Sequence, residues 1–177
     1  MQKLLRKEML VKRLSLNANA VDGLSKIIED KALSILDLEK YSEFFVYLDF
    51  KNEVKTDYII NYLIKKGKSV SFPKIIGDNM IAVKPTNEAF ESDLYGISVP
   101  KEYEEVKSVE VAIIPLIACD ENKNRIGFGK GYYDKFLKDK NILKIGLCYD
   151  FQIVERIESN SWDIPLDFIV SERRIIK

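Results

Sequence analysis

The sequence predicts a single-domain, three-layer α/β/α fold over residues 1–177, with a mostly parallel central sheet and its ligand site at the carboxyl edge of the strands. Three observations predict it. Short segments rich in β-branched and aromatic residues alternate with segments whose apolar residues recur at helical spacing, the pattern of strands alternating with helices. The apolar run Val111–Ala118 is too short for a buried helix and reads as a central strand covered on both faces. After it comes a string of alternating glycines, Gly127, Gly129 and Gly131, where an open α/β sheet meets its ligand.

Gln2–Leu14 carries Leu5, Met9, Leu10 and Leu14 at helical spacing, with Lys3, Arg6, Lys7, Lys12 and Arg13 on other faces, so an amphipathic helix with a solvated basic side is expected. Val21, Leu24, Ile28, Ala32 and Ile35 form one stripe of a second helix, Asn19–Leu36. Phe44–Leu48 reads as a strand and Asp49–Val54 as the loop at its carboxyl end. Thr56 is a good N-cap for a helix through Lys66, which Gly67 stops. Ser69–Phe72 is a strand ending at Pro73-Lys74, Met80–Val83 is a short strand, and the charged stretch Thr86–Asp93 reads as surface loop. Tyr132–Lys138 is a short helix that places Asp134 in its first turn, where the helix dipole favours an acid. Lys144–Cys148 and Phe168–Val170 are the last strands, with Asp167 turning the chain into the second.

Composition narrows the function. With 46% hydrophobic and 32% charged residues, the 177-residue chain is that of an ordinary globular protein able to bury a core. A formal net charge of zero and a pI near 6.4 argue against a general affinity for nucleic acid or anionic membranes. No apolar run could span a bilayer, and the basic start lacks a signal peptide's apolar region, so a cytoplasmic location is expected. A monomer is the separate default expectation, which no residue pattern carries. Cys119 and Cys148 each sit in an apolar strand-like run and are expected as buried thiols. The absence of histidine excludes His-activated nucleophiles and histidine metal ligands. Acid–base or metal chemistry must rest on carboxylates, Lys, Tyr or the substrate.

The string Arg125-Ile126-Gly127-Phe128-Gly129-Lys130-Gly131-Tyr132-Tyr133-Asp134 is built for an anion. Without Cβ atoms its glycines can take positive φ and bring backbone N–H groups close to a ligand. Arg125 and Lys130 add positive charge, and Asp134 adds a carboxylate that could hold a divalent cation. It is neither a Walker A loop, which needs Gly-Lys-Ser/Thr, nor the dinucleotide fingerprint, whose third glycine comes one residue later.

This string resembles the signature of the 5-formyltetrahydrofolate cyclo-ligases, also called methenyltetrahydrofolate synthetases. The resemblance extends in order along nearly the whole chain. It implies that Gln2, Lys3, Arg6 and Arg125, with Gly127, Phe128, Gly129, Lys130, Gly131, Tyr132 and Tyr133, bind ATP. Gln2 stands where the family carries Lys, with Lys3 adjacent. Leu48 and Glu53, in Glu53-Val54-Lys55-Thr56, match the family's folate-binding positions, and Phe128, Gly129, Lys130, Gly131 and Tyr132 complete that side. Arg125, Lys130 and Tyr132 are implied as the catalytic residues, and Asp134 and Asp163 as ligands of Mg2+. Two departures stand out: Val99 replaces a Glu in Tyr95–Pro100, and Trp162 replaces the His before Asp163. The implied reaction is ATP- and Mg-dependent closure of 5-formyltetrahydrofolate to 5,10-methenyltetrahydrofolate, with ADP and phosphate released. The same loop would also serve a phosphotransferase for another small acceptor, or a nucleotide- or folate-binding module without turnover. For Asp134→Asn, a surface metal ligand predicts strongly reduced turnover with stability changed by no more than about 1 kcal/mol.

Overall fold

The computed structural model describes residues 2–93 and 96–177. Helix α1 spans Gln2–Leu14 and α2 Ala18–Ser34, and strand β1 spans Glu43–Val46. Next come α3 (Asp57–Lys65), the hairpin β2 (Ser69–Ile76) and β3 (Asn79–Pro85), and the short strands β4 (Phe90–Ser92), β5 (Ser98–Pro100) and β6 (Tyr103–Val106). β7 (Val111–Pro115), β8 (Ala118–Asp120) and β9 (Arg125–Ile126) lead to α4 (Tyr132–Leu137). β10 (Leu143–Leu147), β11 (Ile153–Val154), β12 (Phe168–Val170) and β13 (Ile175–Ile176) complete the chain.

Among the described residues, eight strands form one sheet in the order β13-β12-β10-β7-β1-β2-β3-β6. The inner strands from β12 to β2 run parallel, and β13, β3 and β6 add antiparallel edges. Side chains alternate between its faces. Phe44 and Val46 of β1, with Val111 and Ile113 of β7, pack against Ile28 and Ala32 of α2 and Ile59 and Leu63 of α3. Phe45, Ala112 and Ile114 face the other way, onto Phe136 and Leu137 of α4. Phe45 stacks on Phe136 with ring centroids 4.5 Å apart. Removing such a side chain from water stabilises the fold by about 1.5–3 kcal/mol. Both faces are therefore covered, as the apolar run predicted.

Several local expectations are corrected. The run Val111–Ala118 is two strands. Pro115 has no N–H to carry the ladder further, and after Leu116 and Ile117 the chain enters a separate three-stranded sheet ordered β11-β8-β9. Strand β2 continues beyond Pro73-Lys74 to Ile76. Its pairing with β1 covers only Glu43–Phe45 against Ser69–Ser71, so Pro73 lies where β3 is the sole neighbour and tolerates the missing N–H. β4 lies inside the stretch 86–93 expected as loop and pairs with β5. In the stretch 95–100, Tyr95 lies outside the described residues; Val99, where the family carries Glu, is 3% exposed opposite Glu91.

Thr56 sits at the N-cap of α3 without capping it. Its Oγ1 donates to the Tyr47 carbonyl at 2.8 Å. The cap comes from α2, where Glu29 Oε1 accepts the N–H groups of Tyr58 (2.9 Å) and Ile59 (3.1 Å). Burial pushes the Glu29 carboxyl up to about 7 even against these bonds. Cys119 and Cys148 are free, fully buried thiols with Sγ atoms 3.7 Å apart. Among the described residues no helix is long and apolar enough to cross a membrane.

Candidate active site

The site forms where the loops leaving β1, β7 and β9 meet helix α1. Met9 of α1 packs with Ile117, Ala118, Ile126 and Ile157, which lays the helix across this edge. Arg6 and Arg13 are seven residues apart, two turns of helix, so they share one face about 10 Å apart along the axis.

Arg6 serves the glycine loop. Its Nε donates to the Gly127 carbonyl at 2.9 Å, and its Nη2 donates to Gln2 Oε1 at 3.1 Å. Gln2 Nε2 in turn donates to the Glu158 carbonyl at 2.8 Å, so Gln2 braces Arg6. Gly129 has φ +89°, and a Cβ there would sit 3.4 Å from Arg6 Cζ. The backbone conformation favours glycine at this position, whereas the added Cβ would meet Arg6 at ordinary van der Waals distance. Phe128, Gly129 and Lys130 at the loop's tip are exposed, as is Lys3.

Arg13 serves the β1 loop. Only 1% exposed, it donates from Nε to the Lys51 carbonyl at 3.0 Å and from Nη1 to the Leu116 carbonyl at 3.2 Å. Asn52 Nδ2 answers by donating to the carbonyls of Arg13 (3.2 Å) and Leu16 (2.9 Å) at the end of α1. Lys51 and Asn52 have φ +51° and +56°, consecutive left-handed residues that persist because these bonds hold them. The turn delivers Glu53 into the interior at 5% exposure, where Oε2 accepts the Phe50 N–H at 3.1 Å. Glu53 Oε1 lies 3.7 Å from Arg13 Nη2. Burial pushes the Glu53 carboxyl up to about 7, against the lowering effect of Arg13 and the Phe50 amide. Leu48, just past β1, is half-buried against the first core.

The loop's aromatic residues divide. Phe128 is 50% exposed, with the Arg13 guanidinium carbon 6.0 Å from its ring centre. Tyr132 and Tyr133 pack against the second core, Tyr133 edge-on to Phe45 at 6.2 Å. Burial pushes the pKa of the Tyr133 hydroxyl up; the nearby Glu53 charge pushes it the same way and the Arg125 charge opposes. Arg125 is anchored, with a side chain 5% exposed. Its Nη2 donates to Asp134 Oδ1 at 2.8 Å and its Nη1 to the Ile164 carbonyl. The same Oδ1 accepts the Ile164 N–H at 3.1 Å. Asp163 is the preceding residue, and its Oδ2 accepts from Asn160 N at 2.7 Å. Among the described residues no group of three or more His, Cys, Asp or Glu could hold a metal. One or two carboxylates at one edge suit magnesium that arrives with phosphates and retains waters, rather than a metal held by protein alone.

The family model for "5-formyltetrahydrofolate cyclo-ligase family" matches residues 1–172. The chain belongs to this family. It is similar to the 5-formyltetrahydrofolate cyclo-ligase of Mycoplasma genitalium, 34% identical over 173 residues that cover 94% of each chain. To that of Escherichia coli it is 31% identical over 142 residues, covering 73% of this chain and 78% of the relative. Among solved structures it resembles the 5,10-methenyltetrahydrofolate synthetase of Aquifex aeolicus, with a TM-score of 0.86, 32% identity and coverage of 98% and 91%. The synthetase of Mycoplasma pneumoniae gives a TM-score of 0.78, 27% identity and coverage of 97% and 98%. The resemblance to the cyclo-ligase family is borne out, and so is the enzyme class.

In this cyclo-ligase fold Arg6, Arg13, Glu53, Phe128 and the glycine loop come together at one edge, while Asp134 pairs with Arg125 and the Ile164 N–H and the Asp163 carboxylate turns to Asn160. Arg13, expected on a solvated basic side, is buried. Its seven-residue spacing from Arg6 was the available sequence signal. Tyr149, also unanticipated, donates from its hydroxyl to the Glu53 carbonyl at 3.3 Å. That contact joins residues far apart in the chain, and no local pattern announces it.

Proposed function

We propose that the chain converts 5-formyltetrahydrofolate to 5,10-methenyltetrahydrofolate, consuming ATP with magnesium and releasing ADP and phosphate. The observation that carries this is helix α1: Arg6 grips a glycine loop suited to phosphate, while Arg13 two turns on faces a buried carboxylate suited to a flat heterocycle with N–H donors. The formyl group is a poor electrophile because the amide nitrogen delocalises into its carbonyl. Transfer of the γ-phosphoryl group to the formyl oxygen, with ADP leaving, makes that oxygen a leaving group. N10 then attacks the formyl carbon and loses its proton as phosphate departs, closing the ring.

Phosphoryl transfer depends on positioning and charge neutralisation more than on acid–base groups, which suits a chain without histidine. The backbone amides of Gly127, Gly129 and Gly131, with Lys130, Arg6 and Lys3, hold the nucleotide phosphates; Gln2 orients Arg6. Arg125 fixes the loop to the sheet. Glu53 and Leu48 take the folate ring, and the exposed face of Phe128 lies over it. Tyr132 and Tyr133 position the loop from beneath through the core. Asp134 and Asp163 would hold the magnesium, whose charge offsets that of the phosphates.

The test is the absorbance of the methenyl product on mixing protein, magnesium, ATP and 5-formyltetrahydrofolate, with ATP omitted as control. A rise that requires ATP is expected. Absence of a rise with both ligands bound refutes the reaction.

A further inference from the structure

We propose that Arg13 is a positioning residue that acts through Glu53, keeping its carboxylate ionised and aimed so that it accepts the N–H groups of the folate ring. This rests on the substrate role of Glu53 proposed above. The geometry is unusual for an arginine. Arg13 is 1% exposed and two of its nitrogens are bonded to carbonyls, yet Nη2 is buried with no hydrogen-bond partner. A buried donor left unmade is costly, more so on a charged group, so such groups mark places where a partner arrives.

The atom it faces is Glu53 Oε1, at 3.7 Å, beyond hydrogen-bonding distance. Glu53 lies in the turn held left-handed at Lys51 and Asn52, and that turn is bonded in both directions to the end of α1. The guanidinium is thus fixed by the backbone it supports. Small closure of the gap completes the pair as substrate fills the space.

The other groups facing Glu53 are Asp49 of its own loop, Tyr47 past β1, Tyr133 of α4 and Tyr149 past β10. Asp49 opposes ionisation of Glu53, and burial pushes the pKa of all three tyrosine hydroxyls up, that of Tyr149 to about 12, so they are neutral near pH 7. Arg13 is the cation among them. A protonated Glu53 has a single acceptor oxygen and an O–H that opposes a ring N–H. The charge of Arg13 is therefore part of substrate recognition.

The experiment has two readouts. Carbon-13 NMR of glutamate-labelled, ligand-free protein follows the Glu53 titration, assigned by its loss in Glu53→Gln. Affinity for 5-formyltetrahydrofolate is measured across the same pH range. In the parent, the Glu53 midpoint lies near neutrality and affinity falls as pH drops through it. In Arg13→Met the midpoint rises by about one to three pH units. At neutral pH the affinity falls at least about fivefold and recovers as pH rises. An unchanged midpoint, or an affinity loss equal at every pH, overturns the proposal.

Should Arg13→Met not fold, Arg13→Lys decides in two backgrounds. It weakens folate binding in the parent and adds no further loss to Glu53→Gln; equal loss in both backgrounds overturns the proposal. A parent that binds no 5-formyltetrahydrofolate at any pH refutes the substrate role and the positioning role with it. The ligand-free titration still reports separately whether Arg13 controls Glu53.

Discussion

Replacing Asp134 by Asn and by Ala separates its charge from its hydrogen-bonding role. Its Oδ1 receives two donors, Arg125 Nη2 at 2.8 Å and the Ile164 N–H at 3.1 Å, and so ties α4 to β9 and to the segment before β12. Asn retains an oxygen of the same shape, so both donors keep an acceptor and only the charge is lost. Hydrogen bonds to charged groups are worth about 1.5–3 kcal/mol against about 1 for neutral ones, which puts Asp134→Asn at about 1–2 kcal/mol. Ala removes the acceptor altogether and strands the Arg125 guanidinium, whose side chain is 5% exposed. Breaking a buried pair costs about 3–5 kcal/mol. The Asp134 side chain is 26% exposed, so water can reach the vacated position and about 3 kcal/mol, the lower end of that range, applies. This exceeds what a surface metal ligand predicts. Urea denaturation measures both variants, with unchanged m-values showing that the comparison is like for like. Turnover is measured alongside and falls in both. Stabilities within about 0.5 kcal/mol of the parent in both variants would refute the pairing and restore a surface ligand.

Three further outcomes follow from single features. Gly129→Ala, at φ +89° with its new Cβ 3.4 Å from Arg6 Cζ, raises the KM for ATP far more than it lowers kcat; unchanged steady-state constants would separate the loop from nucleotide binding. Gly146→Ala places a Cβ 2.5 Å from Leu166 Cδ1 and 2.9 Å from Leu116 Cδ2, and this overpacking lowers stability by about 1–3 kcal/mol in thermal melts, a neutral result refuting the fit. Burial raises Glu29 from 4.5 to about 7, and Glu53 likewise. Between those values the folded state holds protons the unfolded chain has released, so both groups make stability fall as pH rises through that window. Glu29→Gln keeps an oxygen for Tyr58 and Ile59 and flattens the fall by up to about 1.4 kcal/mol per pH unit; denaturation midpoints across pH that decline as steeply as the parent's would refute this.

Local patterns in the chain determined the alternation of strands and helices, the limits of α1, the two-sided burial of Val111–Ile114 and the glycine string. Each depends on the spacing of a few neighbouring residues: period two, period 3.6, or the missing Cβ of glycine. Leu5, Met9 and Leu10 reveal which face of α1 is buried, but a basic residue beside them carries no sign of whether its head meets water or protein.

The tertiary structure decided that. Arg13 is interior because the turn after β1 and the carbonyl of Leu116 close over it, and only the assembled sheet brings those groups to α1. The same reason explains α3, whose cap comes from Glu29 of another helix although Thr56 stands at the expected place. It explains Asp134 too, since Ile164 returns to it from the far end of the chain. Propensity acts between neighbours in sequence, whereas burial and charge pairing depend on which groups the fold brings within a few ångströms.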